Sequence, residues 1–180
     1  GNLWLICIFG AGVFLLLFLY LSETNGKLIQ EPLEINAFLN NYLGVLKNRI
    51  FVVNVICAGV ALSVLIIYTT VNPFILQNTY ELKPVTYGLL TIFIAAGEIV
   101  GTLINAYYVC KIGMYKMIMI GFVMIFIAGV GLTYLYQVNQ ISLVCFISLN
   151  FLANIGIAFI LPNTSAQAFS IFNEKIGFVG

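Results

Sequence analysis

Glu98 is the residue of this sequence best placed to do chemistry. It lies twelve residues from either end of the apolar run 86–110, so a helix through that run would hold its carboxyl near a bilayer midplane. A charged group there costs roughly 2.5–3.5 kcal/mol on insertion scales. The carboxyl would lower that cost by staying protonated or by facing a polar cavity. A group that trades a proton with its surroundings is what a proton-driven carrier requires, which makes Glu98 the proton-coupling candidate. A neutral glutamic acid bonded to a neighbouring helix meets the same constraint and takes part in no mechanism. The amides come next. Asn150 and Asn154 are four apart and share one helical face, and Asn54 stands in an earlier apolar run. Amides in lipid must find partners, so these three fit a substrate path and interhelical hydrogen bonding equally.

Other chemistry is excluded by residues the sequence lacks. It has no His and no Asp, which removes imidazole metal sites, Ser-His-Asp triads and dyads of aspartates. Cys7, Cys57, Cys110 and Cys145 are widely spaced with no CxxC pair, so they read as small buried apolar residues and not as a metal or redox set. No metal, no cofactor and no enzyme activity are expected. A net charge of +1 leaves no basic face for phosphates, so nucleic acid is not an expected partner.

The elements that must position these residues follow from composition. The chain is 62% hydrophobic and 7% charged, with a mean hydropathy of +1.11. Soluble domains carry roughly 25% charged residues because water must wet their surface. This chain's solvent must therefore be membrane lipid. A spanning helix needs about 20 apolar residues, and five segments qualify: 3–21, 51–71, 85–109, 117–136 and 142–161. Only helices can satisfy their own backbone in these runs, which are too long and too uniform for barrel strands. The expected fold is an all-α, polytopic transmembrane bundle.

Six of the seven basic residues fall on one side: Lys27, Lys47, Arg49, Lys111, Lys116 and Lys175, with Lys83 alone on the other. The positive-inside rule makes the majority side cytoplasmic, placing the 23–50 and 110–116 loops there. Within 23–50, Ile35, Phe38, Leu39, Tyr42, Leu43 and Leu46 recur at helical spacing and read as an amphipathic surface helix, lying at the headgroups or linking two bundles. Gly97 and Gly101 make a GxxxG step suited to close helix packing, and Gly59 and Ser63 make a similar one. Pro162 ends or bends the fifth span, because it lacks an amide proton. With Asn163 it could serve a gating hinge or a plain helix end, and Pro73 marks a helix end in the same way. No secretory signal peptide precedes the first run, and both ends of the chain read as cut.

Several stretches together resemble the bicyclomycin-resistance (Bcr/CflA) branch of the major facilitator superfamily. Leu46-Lys47-Asn48-Arg49-Ile50-Phe51 resembles the opening of that family's seventh helix. Asn72-Pro73-Phe74-Ile75-Leu76-Gln77, followed by Tyr80 and Tyr87-Gly88, is similar to its Ser-Pro-Phe-x-x-Gln loop, with Asn72 in place of Ser. Leu161-Pro162-Asn163-Thr164-Ser165-Ala166 resembles the Pro-Asn-x-x-Ala signature of the tenth helix. The stretch from Gly101 through Asn105 to Lys111-Ile112-Gly113 is similar to the passage between helices eight and nine. Trp4 and Ser22-Glu23-Thr24 resemble the start and end of the sixth.

The resemblance covers nearly the whole chain and implies twelve helices in two halves that rock about a central site. Residues 1–22 would then be the last helix of the N-terminal half, 23–50 the central cytoplasmic loop and 51–180 part of the C-terminal half. It implies a bacterial inner-membrane carrier, multi-pass, that exports drugs against protons and needs the N-terminal half absent from this segment. Helices seven and ten would line the path, which makes Asn54, Asn150 and Asn154 its candidates. Glu98 stands where the family pattern is apolar, so the resemblance assigns it no role. An uptake symporter for a small metabolite and an inactive or scaffolding membrane fragment are the alternatives.

Overall fold

A computed structural model of the protein describes residues 2–20, 43–138 and 142–176. Among these the chain is helical and has no strand. Its elements are α1 (Asn2–Tyr20), α2 (Arg49–Phe74), α3 (Pro84–Ile112), α4 (Met114–Gln137) and α5 (Leu143–Ile176), with a π-helical turn, Ile75–Thr79, extending α2. Four helices are long and apolar enough to cross a membrane: α2 with its π turn, α3, α4 and α5 up to Ser170. This is the make-up of a multi-pass membrane protein, an all-α bundle. The first of the five expected spans is represented by a shorter apolar helix, Trp4–Tyr20. The amphipathic stretch expected within 23–50 lies outside the described residues as far as position 42, and 43–46 are helical.

Local chemistry explains where the helices begin and why two of them run on past expected ends. The Oδ1 of Asn48 accepts hydrogen bonds from the backbone N–H of Ile50 (3.0 Å) and Phe51 (3.3 Å), which caps α2. Pro84 occupies the first turn of α3, where its missing N–H is harmless. Ser142 Oγ accepts from the N–H of Cys145 at the start of α5. Pro73 and Pro162 both lie inside helices, so α5 continues to Ile176 instead of stopping near position 161. Two side chains hold the backbone together just past Pro162. Asn163 Nδ2 donates to Phe159 O (2.7 Å), and Thr164 Oγ1 donates to Ile160 O (2.9 Å) and Leu161 O (3.0 Å). Beyond Pro73 the helix widens instead, and the Tyr80 N–H reaches back five residues to Ile75 O at 3.3 Å.

The bundle is organised around α5, which packs against α2, α3 and α4, whereas α3 and α4 scarcely meet. Of its apolar stretch 44% is buried, against 11–17% in the other three. Close approach depends on glycine. A Cβ on Gly97 would stand 2.7 Å from Phe151 O, and one on Gly101 would stand 2.7 Å from Ala158 Cβ. On α4, a Cβ on Gly121 would meet Gly156 O at 2.6 Å. Backbones this near gain dispersion contacts along the whole seam. Phe93 stacks on Phe151 at 5.3 Å beside the glycine seam. Ala61, Ile118 and Ile160 form a small buried cluster, flanked by Phe122, Ile125 and Leu161.

The outward faces are apolar: Ile67, Leu103, Phe126 and Val144 are among the exposed side chains. Much of the polar inventory is inside, as six buried asparagines and Thr164. That inversion of the water-soluble pattern suits a lipid solvent. The cysteines sit less deep than expected from their apolar runs. Cys7 and Cys110 are exposed, and Cys57 and Cys145 are half-buried.

Candidate functional site

Six asparagines line the interior of the bundle: Asn54 and Asn72 on α2, Asn105 on α3, and Asn150, Asn154 and Asn163 on α5. Each is at least nine-tenths buried, where an amide without a hydrogen-bond partner is costly. Asn54 Nδ2 donates to Ile50 O (2.8 Å), Asn150 Nδ2 to Phe146 O (2.8 Å) and Asn154 Nδ2 to Asn150 O (2.9 Å). The three sequence-predicted path residues therefore bond back to their own helices, four residues earlier. This local arrangement is the one short polar side chains adopt when no better partner faces them.

Asn163 does more. Its Nδ2 bonds Phe159 O within α5 and also reaches Asn105 Oδ1 on α3 at 2.7 Å. Both protons of one amide are thus used, one to support the helix after Pro162 and one to tie two helices together. In the sequence Asn105 figures only within a family-like stretch and not as a candidate site residue. The signal that could have found it is general: an amide deep in an apolar run requires a partner, and Asn163 lies at matching depth on another span.

Toward the opposite end of α5, Tyr68 on α2 brings its hydroxyl beside the amides of Asn72 and Asn154, with Tyr87 of α3 nearby. Asn72 differs from the other asparagines because its Nδ2 completes no hydrogen bond among the described residues. Just beyond, Tyr80 packs on Phe146 with ring centroids 6.0 Å apart. Burial pushes the Tyr80 phenol up, and Cys145 beside it pushes the same way, so the contact is made by a neutral ring.

Glu98 lies elsewhere. Gly97 and Gly101 turn toward α5, and Glu98, one position round the helix, is exposed. Its backbone carbonyl accepts from Thr102 Oγ1 at 2.8 Å, and its carboxylate makes no ion pair among the described residues. The structure therefore does not bring Glu98 together with the buried amides. Pro73 adjoins Asn72, and Pro162 adjoins Asn163. The two helix-interior prolines thus flank the two most distinctive amides. Open grooves of about 480 Å³ lie on outward faces of α4 and α1, the former lined by Phe126, Thr133 and Tyr134, away from this polar interior.

The arrangement suits hydrogen bonding to an uncharged group or to water within an apolar bundle. Comparison with known proteins adds no assignment: no protein-family model matches the chain, and neither does any curated protein or solved structure.

Proposed function

We propose that this chain is part of a secondary active transporter of the major facilitator type, a carrier and not an enzyme, that exports hydrophobic solutes against an inward flow of protons. One observation carries the reading. A line of buried amides runs along α5, the helix on which α2, α3 and α4 all pack. A purely structural bundle in lipid is held as well by apolar and small residues, and six interior amides add desolvation cost for little stability. Amides are retained at a gain where water, or the polar groups of an otherwise hydrophobic solute, must pass. The resemblance of 46–51, 72–77 and 161–166 to the Bcr/CflA branch points the same way, as does the bias of basic residues to one side.

In this reading the protein lies in a bacterial inner membrane, with the 23–50 and 110–116 loops in the cytoplasm. Asn54, Asn150 and Asn154 present their oxygens to the solute path on α2 and α5. Glu98, exposed on α3, faces lipid or a further part of the carrier, where it exchanges its proton. The N-terminal half of the carrier supplies the other wall of the path, and the two walls rock to expose it alternately.

The test is efflux of a fluorescent hydrophobic dye from cells expressing the full coding frame that contains this segment. Efflux that stops when the proton gradient is dissipated supports the reading. Gradient-driven accumulation of a labelled metabolite instead would identify an uptake symporter. Absence of both, with the protein present in the membrane, would leave a scaffold.

A further inference from the structure

The joint between α3 and α4 gathers charge and aromatic rings where a membrane has its headgroups. α3 is 29 residues long, about 44 Å at the helical rise, and a hydrocarbon core is about 30 Å thick. A centred α3 therefore carries its last turn, with Lys111, into the headgroup layer. Gly113 alone separates it from α4, whose first turn holds Lys116. Both lysines thus stand at one end of the bundle, and both are exposed.

By count, the other charges of that end offset one another. Residues 23–49 include three acidic and three basic side chains, and Glu174 adjoins Lys175. At the opposite end Glu81 accompanies Lys83, and Glu98 lies at mid-span. Lys111 and Lys116 are therefore the positive excess of their end. The rings fix where that excess is presented. Lys111 Nζ rests 4.2 Å from the centroid of the Tyr107 ring, inside the range of a cation–π contact. Tyr108 meets the same ring edge-on, with centroids 4.9 Å apart and planes at 85°. An amine seated on a ring has less freedom to lose when it binds an anion, and it keeps N–H groups to donate.

Tyr107, Tyr108 and Tyr115 are all exposed. Tyrosines at this level place their rings against acyl chains and their hydroxyls among headgroups. Toward mid-span the surface continues with exposed Leu103 on α3 and Met119 on α4, which an acyl chain can cover and a free phosphate ion cannot. We propose that the α3–α4 joint is a binding site for an anionic phospholipid, whose phosphate is taken by Lys111 and Lys116 and whose acyl chains lie on the apolar surface beside the tyrosines. The site needs only a bundle that crosses a membrane, so it stands or falls apart from the carrier reading.

The experiment is native mass spectrometry of the full protein released from mixed micelles that hold phosphatidylglycerol and phosphatidylcholine in equal amounts. The protein retains phosphatidylglycerol over phosphatidylcholine by about tenfold or more. Lys111→Gln combined with Lys116→Gln brings the two lipids within about twofold of each other, and Lys111→Arg keeps the preference. Tyr107→Leu, which removes the ring under Lys111, lowers the preference by about two- to fivefold, whereas Tyr107→Phe leaves it unchanged. Lys47→Gln with Arg49→Gln removes as much positive charge from the same end and changes the preference by less than about twofold.

Equal retention of the two lipids by the unaltered protein overturns the proposal without need of a variant. So does a preference that survives the loss of both lysines. An equal loss with the Lys47 and Arg49 substitutions would mean diffuse attraction to the whole end and no site at the joint. Displacement of the bound lipid by inorganic phosphate would mean a site for a free anion, and it too overturns the proposal. Lipid retention needs no transport, so a failed efflux assay with this preference intact would remove only the carrier reading.

Discussion

Asn163 and Asn105 are fifty-eight residues apart in sequence, yet their side chains meet at 2.7 Å in the buried seam between α5 and α3. A bond of this kind between amides in lipid contributes modestly, because an unfolded helix in the membrane also finds partners. A double-mutant cycle with Asn163→Ala and Asn105→Ala should give a coupling of about 0.5–1.5 kcal/mol, measured by unfolding in mixed micelles. Additive effects of the two substitutions would show that the pair is not energetically linked.

The glycine seams make a sharper prediction. At Gly101 an added Cβ would stand 2.7 Å from Ala158 Cβ and 2.9 Å from Ile155 Cα, and at Gly121 it would stand 2.6 Å from a backbone oxygen. Neither neighbour is a flexible side-chain tip, so the helices themselves must part. Gly101→Val and Gly121→Val should each destabilise the protein by about 1–3 kcal/mol. At Gly88 an added Cβ would meet nothing within 4 Å, so this position should accept Ala with no loss. Thermal melting of the three variants in one detergent checks the order.

Pro162 offers a change in the opposite direction. It lies within α5 and is exposed, so trimming its ring opens no cavity. Pro162→Ala restores the N–H that the Ala158 carbonyl lacks, and should raise stability by roughly 1 kcal/mol or more. A fall in melting temperature would mean that the bend around Pro162 is required for α5 to reach its three partners.

Glu98→Gln tests the coupling role. Removing the ionisable proton while keeping the shape should alter the dependence of efflux on the proton gradient and leave membrane insertion normal. Efflux with wild-type rate and wild-type pH dependence in this variant would remove Glu98 from the mechanism. Because its side chain points away from α5, the substitution should also leave the melting temperature of the bundle unchanged.

How much of this could be read from residues alone differs between fold and site. The apolar runs announced the helices, since only a helix satisfies its backbone in lipid, and the Gly97–Gly101 step marked the face of α3 that lies against α5. The ends were harder. Pro73 and Pro162 suggest termini by their lost N–H, but whether a helix continues depends on neighbouring side chains: Asn163 and Thr164 re-bond the backbone after one, and a π turn follows the other. The amides were legible as residues in need of partners. Which partners they take was not, because Asn105 and Asn163 meet only through the packing of α3 on α5. Asn72 was hidden by its neighbour, since an Asn before Pro reads as the start of a loop.

The joint between α3 and α4 bears on how this bundle can move. One residue, Gly113, separates the two helices, and its φ of 90° is a backbone setting that glycine alone adopts readily. A single-residue joint has no slack. Neither helix can slide lengthwise past the other by even one turn, about 5.4 Å, without rebuilding it. Both helices are pressed onto α5 by glycine faces, so they behave as the two arms of a pair of tongs pinned at Gly113. Any relative movement of the two is thereby confined to a change of splay about Gly113, with the spacing at the joint held fixed.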